Sequence, residues 1–284
     1  MIKCIASDMD GTLLTATQTI TDENIAAIKK AQEKGIEVVV ATGRSYQEAI
    51  FVLEEAGLEC PIICANGAEV RSAQGQIVSN SPLDKDLAKR TANALTKLEV
   101  YYEVYTNQGT YTVDKNKGIK IMADIFLSGN QEADVEEVLK AAEERFEKGL
   151  VHKVDSYDVL FESEDHQIYK LLAFTFNPES MKEAEEALQD FEGLIISSSG
   201  HGNLELTSKS AQKGVALEAF VREKGISLEE TMALGDNYND LSMFKVVGRA
   251  VAMGNADDYI KSQCHTVTLT NEESGVGKAI LDVL

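Results

Sequence analysis

Two aspartates two residues apart stand in the stretch Asp8-Met9-Asp10-Gly11-Thr12-Leu13-Leu14, directly after the apolar run Ile2 to Ser7. One carboxylate can serve as a nucleophile, and a second beside it can carry a proton to or from the reacting group. In a continuing strand the two side chains share a face, and in a following turn they converge on one centre. Gly11 lets the backbone approach a ligand closely. A calcium loop of the EF-hand kind is excluded, because its sixth and twelfth positions require glycine and a carboxylate, where this chain has Leu13 and Thr19.

A second carboxylate cluster, Asp236 and Asp240 within Gly235-Asp236-Asn237-Tyr238-Asn239-Asp240, follows the apolar run Thr231 to Leu234. Four carboxylates near one sheet edge repel unless a cation sits among them, and a small set of oxygen ligands suits hydrated Mg²⁺. Thr42 and Gly43 offer a hydroxyl and backbone amides just ahead of a predicted helix, a natural cradle for phosphate. Lys213 lies near a helix start, where the helix dipole disfavours a positive charge, and an anionic partner would explain that placement. Taken singly, Gly-Asp-Asn is a common turn and Lys213 a solvated lysine. Their order along the chain joins them to Asp8.

The elements that position these residues read as βα units. Short apolar runs alternate with amphipathic stretches at both ends of the chain, as expected for a parallel sheet flanked by helices. The pattern predicts a helix from about Asp22 to Lys34, closed by Gly35, and a strand over Glu37 to Ala41. Ser45 with Glu48 forms a capping box opening a helix that ends near Gly57. A strand over Pro61 to Ala65 and a hairpin around Ser72 to Gly75 follow. From about Pro82 to Gly193 the texture changes to long charged helices, near Asp84 to Leu98, Glu132 to Glu147 and Pro178 to Asp190, between strands at Val100 to Thr106 and Tyr169 to Phe176. This segment reads as an inserted domain of α+β type, holding most of the tyrosines as strand packing. After Leu194 the βα rhythm resumes, with Ser210 as the cap of the helix carrying Lys213. The expected division is 1–81, 82–193 and 194–284.

At this level Asp8-Met9-Asp10-Gly11-Thr12, Thr42, Lys213 and Gly235-Asp236 through Asp240 resemble the four motifs of the haloacid dehalogenase superfamily. Their order and the Asn66-Gly67-Ala68 segment are similar to its Cof-type sugar-phosphatase branch, with a class IIB cap inserted between the second and third motifs. The resemblance implies an α/β fold, a Rossmann-like parallel sheet core with an inserted α+β cap. It implies that Asp8 attacks phosphorus to give an aspartyl phosphate, and that Asp10 protonates the leaving alcohol and then activates water. Asp8, Asp236 and the Asp10 carbonyl would hold Mg²⁺. The Met9 amide, Thr42, Gly43, Lys213 and Asn239 would bind the phosphoryl group, with Asp240 supporting Lys213 or the metal shell. Lys209 is a rival to Lys213, although Lys213-Gly214-Val215-Ala216-Leu217 fits the family's pattern better. Arg44 and Asn66 lie near the predicted site as candidate substrate contacts.

Composition bounds the function. The 284 residues carry 27 Lys plus Arg against 47 Asp plus Glu, a net charge of −20. Such a chain lacks the basic footprint that nucleic acid or an anionic membrane requires, so any phosphate chemistry is local. Cys4, Cys60, Cys64 and Cys264 match no metal spacing and read as reduced thiols of a cytoplasmic protein. His152, His166, His201 and His265 are scattered, with His201 the one placed to face substrate. No apolar run approaches 18 residues, which excludes a transporting ATPase of related chemistry. The expected activity is a Mg²⁺-dependent phosphatase for a small phosphorylated metabolite, acting as a monomer or homodimer. A phosphomutase on the same scaffold is the alternative, and a non-catalytic phosphate- or Mg²⁺-responsive module a more distant one.

Overall fold

In the computed structural model, residues 1–129, 135–199 and 202–284 are described. The short apolar runs become parallel strands. In spatial order they are Thr266–Val267, Arg249–Ala252, Thr231–Gly235, Cys4–Ser7, Glu37–Ala41 and Ile62–Cys64. Glu69–Arg71 and Ile77–Asn80 extend the last edge antiparallel, as the hairpin predicted around Ser72 to Gly75.

These strands are apolar on both faces because both are covered. Ile5, Val38, Val40, Ile62, Met232 and Leu234 pack with the helices Asp22–Glu33, Tyr46–Glu55 and Gly275–Leu281. Their alternate neighbours Cys4, Ala6, Val39, Ala41, Ala233 and Ala250 pack with Lys213–Glu223 and Leu241–Phe244. The capping box of Ser45 and Glu48 opens Tyr46–Glu55, where the sequence places it. The helix carrying Lys213 differs from expectation. It begins at Lys213 with Gln212 as its N-cap and no side-chain cap bond, so Ser210, an exposed residue, is not its cap. Its placement rests instead on Gly214, where an added Cβ would lie 2.0 Å from the Ser242 carbonyl oxygen. Gly214→Ala is therefore expected to destabilise the fold by about 3 kcal/mol or more, since backbone must move to admit it. Urea denaturation measures this, and a change under about 0.5 kcal/mol, as at an ordinary surface site, would contradict it.

The chain divides into two units, Met1–Ser81 with Ser210–Leu284, and Pro82–Lys209. The sequence reading ends the inserted segment at 193, while the second unit here runs on to Lys209. Leu194–Ser197 and Asn203–Ser208 pair antiparallel with each other, and Asn203–Ser208 pairs with Ile168–Phe174, so both belong to the inserted unit. Apolar character marks a strand but says nothing of its partner.

The inserted unit is a six-stranded sheet, ordered Leu194–Ser197, Asn203–Ser208, Ile168–Phe174, Tyr101–Thr106, Gly109–Thr112 and Val151–Lys153, antiparallel except for the last pair. Tyr102, Val104, Leu171, Ala173, Leu204 and Leu206 pack on one face with the helices Lys85–Lys97 and Pro178–Leu188. The opposite face carries Tyr101, Tyr105, Leu172 and Phe174, with a buried Lys170–Glu205 ion pair at 2.8 Å. A helix over Lys115–Gly129 has no counterpart in the sequence reading. The predicted Glu132–Glu147 helix is seen as Val135–Glu147, its start lying outside the described residues, as does His201.

Candidate active site

Cys4–Ser7 lies between Thr231–Gly235 on one side and Glu37–Ala41 on the other. The chain runs from Cys4–Ser7 to Glu37–Ala41 and from Thr231–Gly235 to Arg249–Ala252, in opposite directions across the sheet, and at such a switch point a crevice opens outside the strands' carboxyl ends. Asp8, Asp236 and Thr42 each follow one of these three strands.

Asp8 prolongs its strand by one rung, its N–H donating to the Leu234 carbonyl at 2.9 Å. The chain then turns over Asp10 and Gly11, and the Leu14 N–H returns to the Met9 carbonyl at 2.9 Å. Gly11 has φ +75°, and a Cβ there would lie 2.5 Å from Asp236 Oδ2, so glycine is required by conformation and by contact. Thr12 Oγ1 donates to Asp236 Oδ1 at 2.8 Å.

Lys213 is fully buried, and its Nζ donates to Asp8 Oδ1 at 2.6 Å and Asp240 Oδ1 at 2.7 Å. Asp240 Oδ2 accepts from the Asp236 and Asn237 amides at 3.0 and 3.1 Å. Asp240 thus braces both the lysine and the turn that presents Asp236. Lys209 is exposed and belongs to the inserted unit.

Carboxylate oxygens of Asp8, Asp236 and Asp240 lie within 4.8 Å of one another. Burial, then repulsion from Asp240, holds the Asp8 carboxyl well above the usual carboxylate range in spite of Lys213. Burial, then Asp240, pushes Asp236 up to about 7. Burial opposes the charge on Lys213, but Asp240 and Asp8 outweigh it and hold the ammonium protonated. Three carboxylates around one ammonium leave negative charge uncompensated, and oxygen donors alone suit a hard divalent cation such as Mg²⁺.

This charge balance has a measurable consequence. A carboxyl whose pKa rises on folding binds more protons in the native state, so the cation-free fold loses stability as pH rises from the ordinary carboxyl value of 3.8 towards about 7. A cation binds the ionised form and removes that loss. The rise in Tm on adding Mg²⁺ is therefore expected to be larger at about pH 8 than at about pH 5.5. Thermal denaturation at both values checks it, and an equal or reversed shift would contradict it.

Asp10 faces solvent on one side and is clamped by Arg44 on the other, Nε to Oδ2 at 2.8 Å and Nη2 to Oδ1 at 2.5 Å. Arg44 Nη2 also donates to Gln18 Oε1. Thr42 is buried, its Oγ1 accepting from the Arg44 amide at 3.1 Å, and Gly43 stands between them. Asn239 Nδ2 donates to Asn66 Oδ1 at 3.3 Å, and Met9 is buried beneath the turn.

Thr12, quoted in the first motif without a role of its own, bonds Asp236 across 224 residues. Two contributors have no signal in the sequence: Gln18 holds Arg44, and Asn255 Nδ2 donates to the Gly11 carbonyl at 2.8 Å across 244 residues. His152 and His166 pack on Tyr111 in the inserted unit, and His265 Nδ1 accepts from the Ala250 amide at the sheet edge. All four cysteines are free, and burial pushes the Cys4 and Cys60 thiols up to about 12.

The family model of haloacid dehalogenase-like hydrolases matches residues 5–280. The phosphatase YwpJ of Bacillus subtilis is 37% identical over 285 residues, covering all of both chains. The 5-amino-6-(5-phospho-D-ribitylamino)uracil phosphatase YwtE of the same organism is 34% identical over 284 residues, covering 100% of this chain and 98% of its own. A solved haloacid dehalogenase-like hydrolase from B. subtilis matches over all of both chains with a TM-score of 0.92 and 37% identity. The chain belongs to the haloacid dehalogenase-like hydrolases. Within that family it is an enzyme of the phosphoric monoester hydrolase kind. Among the described residues, no helix is long and apolar enough to cross a membrane.

Proposed function

We propose that the chain is a Mg²⁺-dependent phosphatase of a small phosphorylated metabolite and works through an aspartyl phosphate on Asp8. The observation that carries this reading is a buried Asp8 at the switch point, held by Lys213 and crowded by Asp236 and Asp240. The two Asp8 and Asp236 carboxylates with the Asp10 carbonyl would hold Mg²⁺, since Asp240 is already engaged by Lys213 and two amides. Bound there, the cation supplies charge neutralisation for the nucleophile and the phosphoryl oxygens.

Asp8 attacks phosphorus in line with the ester oxygen, whose bond to phosphorus breaks as Asp10 gives that oxygen a proton. The alcohol leaves. Asp10, now ionised, takes a proton from a water that attacks the same phosphorus, releasing inorganic phosphate and restoring Asp8. Both steps need a carboxyl oxygen of Asp10 free of Arg44, so the clamp opens on the substrate side during turnover. Lys213, Thr42 with the Gly43 and Met9 amides, and Asn239 stabilise the equatorial charge of the transferring group.

Hydrolysis of p-nitrophenyl phosphate with and without Mg²⁺, followed by a screen of phosphorylated metabolites, tests the reading. The YwtE substrate, a phosphorylated ribitylaminouracil, and simple sugar phosphates head the screen. Metal-dependent release of inorganic phosphate is expected. An isomerised phosphate ester that depends on a bisphosphate primer would instead identify a mutase, and absence of turnover with every ester would overturn the reading.

A further inference from the structure

Asn66 follows the strand Ile62–Cys64 in a turn that L-residues seldom adopt. Ala65 and Asn66 have φ of +45° and +58°, two left-handed residues in succession. Asparagine tolerates that region and alanine does not, so the turn carries strain that its surroundings must hold. They do so from the predicted phosphoryl loop. The Ala65 N–H donates to the Arg44 carbonyl at 2.8 Å and the Asn66 N–H to the Thr42 carbonyl at 3.0 Å.

The Asn66 side chain is 3% exposed. Its Oδ1 accepts from Asn239 Nδ2, which fixes the amide's orientation. Its own Nδ2 is buried with no hydrogen-bond partner among the described residues. A buried donor left unmade is destabilising, and a strained turn that presents one is stable only if the fold outweighs both. Thr42 on one side and Asn239 on the other are both assigned to the phosphoryl group, and Asn66 is bonded to each.

We propose that Asn66 Nδ2 is a further donor to a non-bridging phosphoryl oxygen, and that the same amide orients Asn239 through Oδ1. The inference rests on the phosphoryl-transfer reading of this site and deepens it. An anion with several lone pairs satisfies the orphaned donor, so binding of phosphate removes the penalty that the free protein bears.

Two substitutions separate this role from a structural one. Asn66→Asp keeps the shape, the tolerance of positive φ and the acceptor for Asn239, but replaces the donor with an oxygen that repels phosphate. Asn66→Gly suits the turn and removes both functions without adding charge. Titration of inorganic phosphate into the Mg²⁺-loaded protein is expected to show binding weakened about 100-fold in the Asp variant and about tenfold in the Gly variant. A structural amide gives the reverse order, because aspartate preserves the shape best. Phosphate binding by Asn66→Asp within about threefold of wild type, or better than by Asn66→Gly, would overturn the inference. This is an equilibrium measurement, so a wild-type protein that binds phosphate yet hydrolyses no ester would sink the phosphatase reading while leaving this test intact. A wild-type protein that binds no phosphate would overturn the inference itself.

Discussion

Replacing Asp8 by asparagine is expected to lower Mg²⁺-dependent hydrolysis of p-nitrophenyl phosphate by at least about 10⁴-fold, to the assay background. Asparagine retains the shape of the side chain and its bond to the Leu234 carbonyl through the backbone, so the turn over Met9 to Leu13 should survive. Only the nucleophilic oxygen is lost. The fold should even gain stability without metal, because one of three crowded carboxylates is removed. A loss of activity together with an unchanged or higher Tm is therefore the expected pairing. Activity within tenfold of wild type would mean that another group attacks phosphorus.

Lys213→Met is the second large effect, expected to lower kcat/KM about 10³-fold. Its Nζ lies between Asp8 and Asp240 at 2.6 and 2.7 Å with no exposure to solvent, so neither water nor a neighbouring cation can replace it. Methionine fills the volume but leaves the carboxylates facing one another. Breaking a buried pair by removing one partner costs about 3–5 kcal/mol, part of which protonation of the carboxylates recovers. The stability loss should accordingly be greater at high pH than at low pH, with the sign set by the raised carboxyls of Asp8 and Asp236. Urea denaturation at two pH values in metal-free buffer measures it. Retention of kcat/KM within tenfold would remove Lys213 from the phosphoryl site.

Strand positions were legible because a buried parallel strand needs a short apolar run, and Gly35, Ser45 with Glu48, and Gly57 punctuate the first ones. The carboxylates were legible because a switch-point sheet brings strand ends together, whatever their separation in sequence. What the residues did not disclose is pairing. Leu194–Ser197 is as apolar as a core strand, yet it joins an antiparallel sheet in the inserted unit. Ser210 has the chemistry of a helix cap, but close contact at Gly214 sets where that helix lies. Side chains that reach across the fold were equally silent. Nothing in the spacing of Gln18, Arg44 and Asp10 announces that Arg44 clamps the one and bonds the other.

Rapid acid quench of an Asp10→Ala variant reacting with p-nitrophenyl phosphate and Mg²⁺ tests the covalent step most directly. Nitrophenolate leaves without needing a proton, whereas water must lose one to attack, so the first half-reaction should outrun the second. One nitrophenolate released per enzyme molecule, with a phosphoryl group on the peptide that contains Asp8, is the predicted result. A phosphoryl group on another peptide, or steady phosphate release with no phosphoenzyme at any time, would contradict an aspartyl phosphate at Asp8.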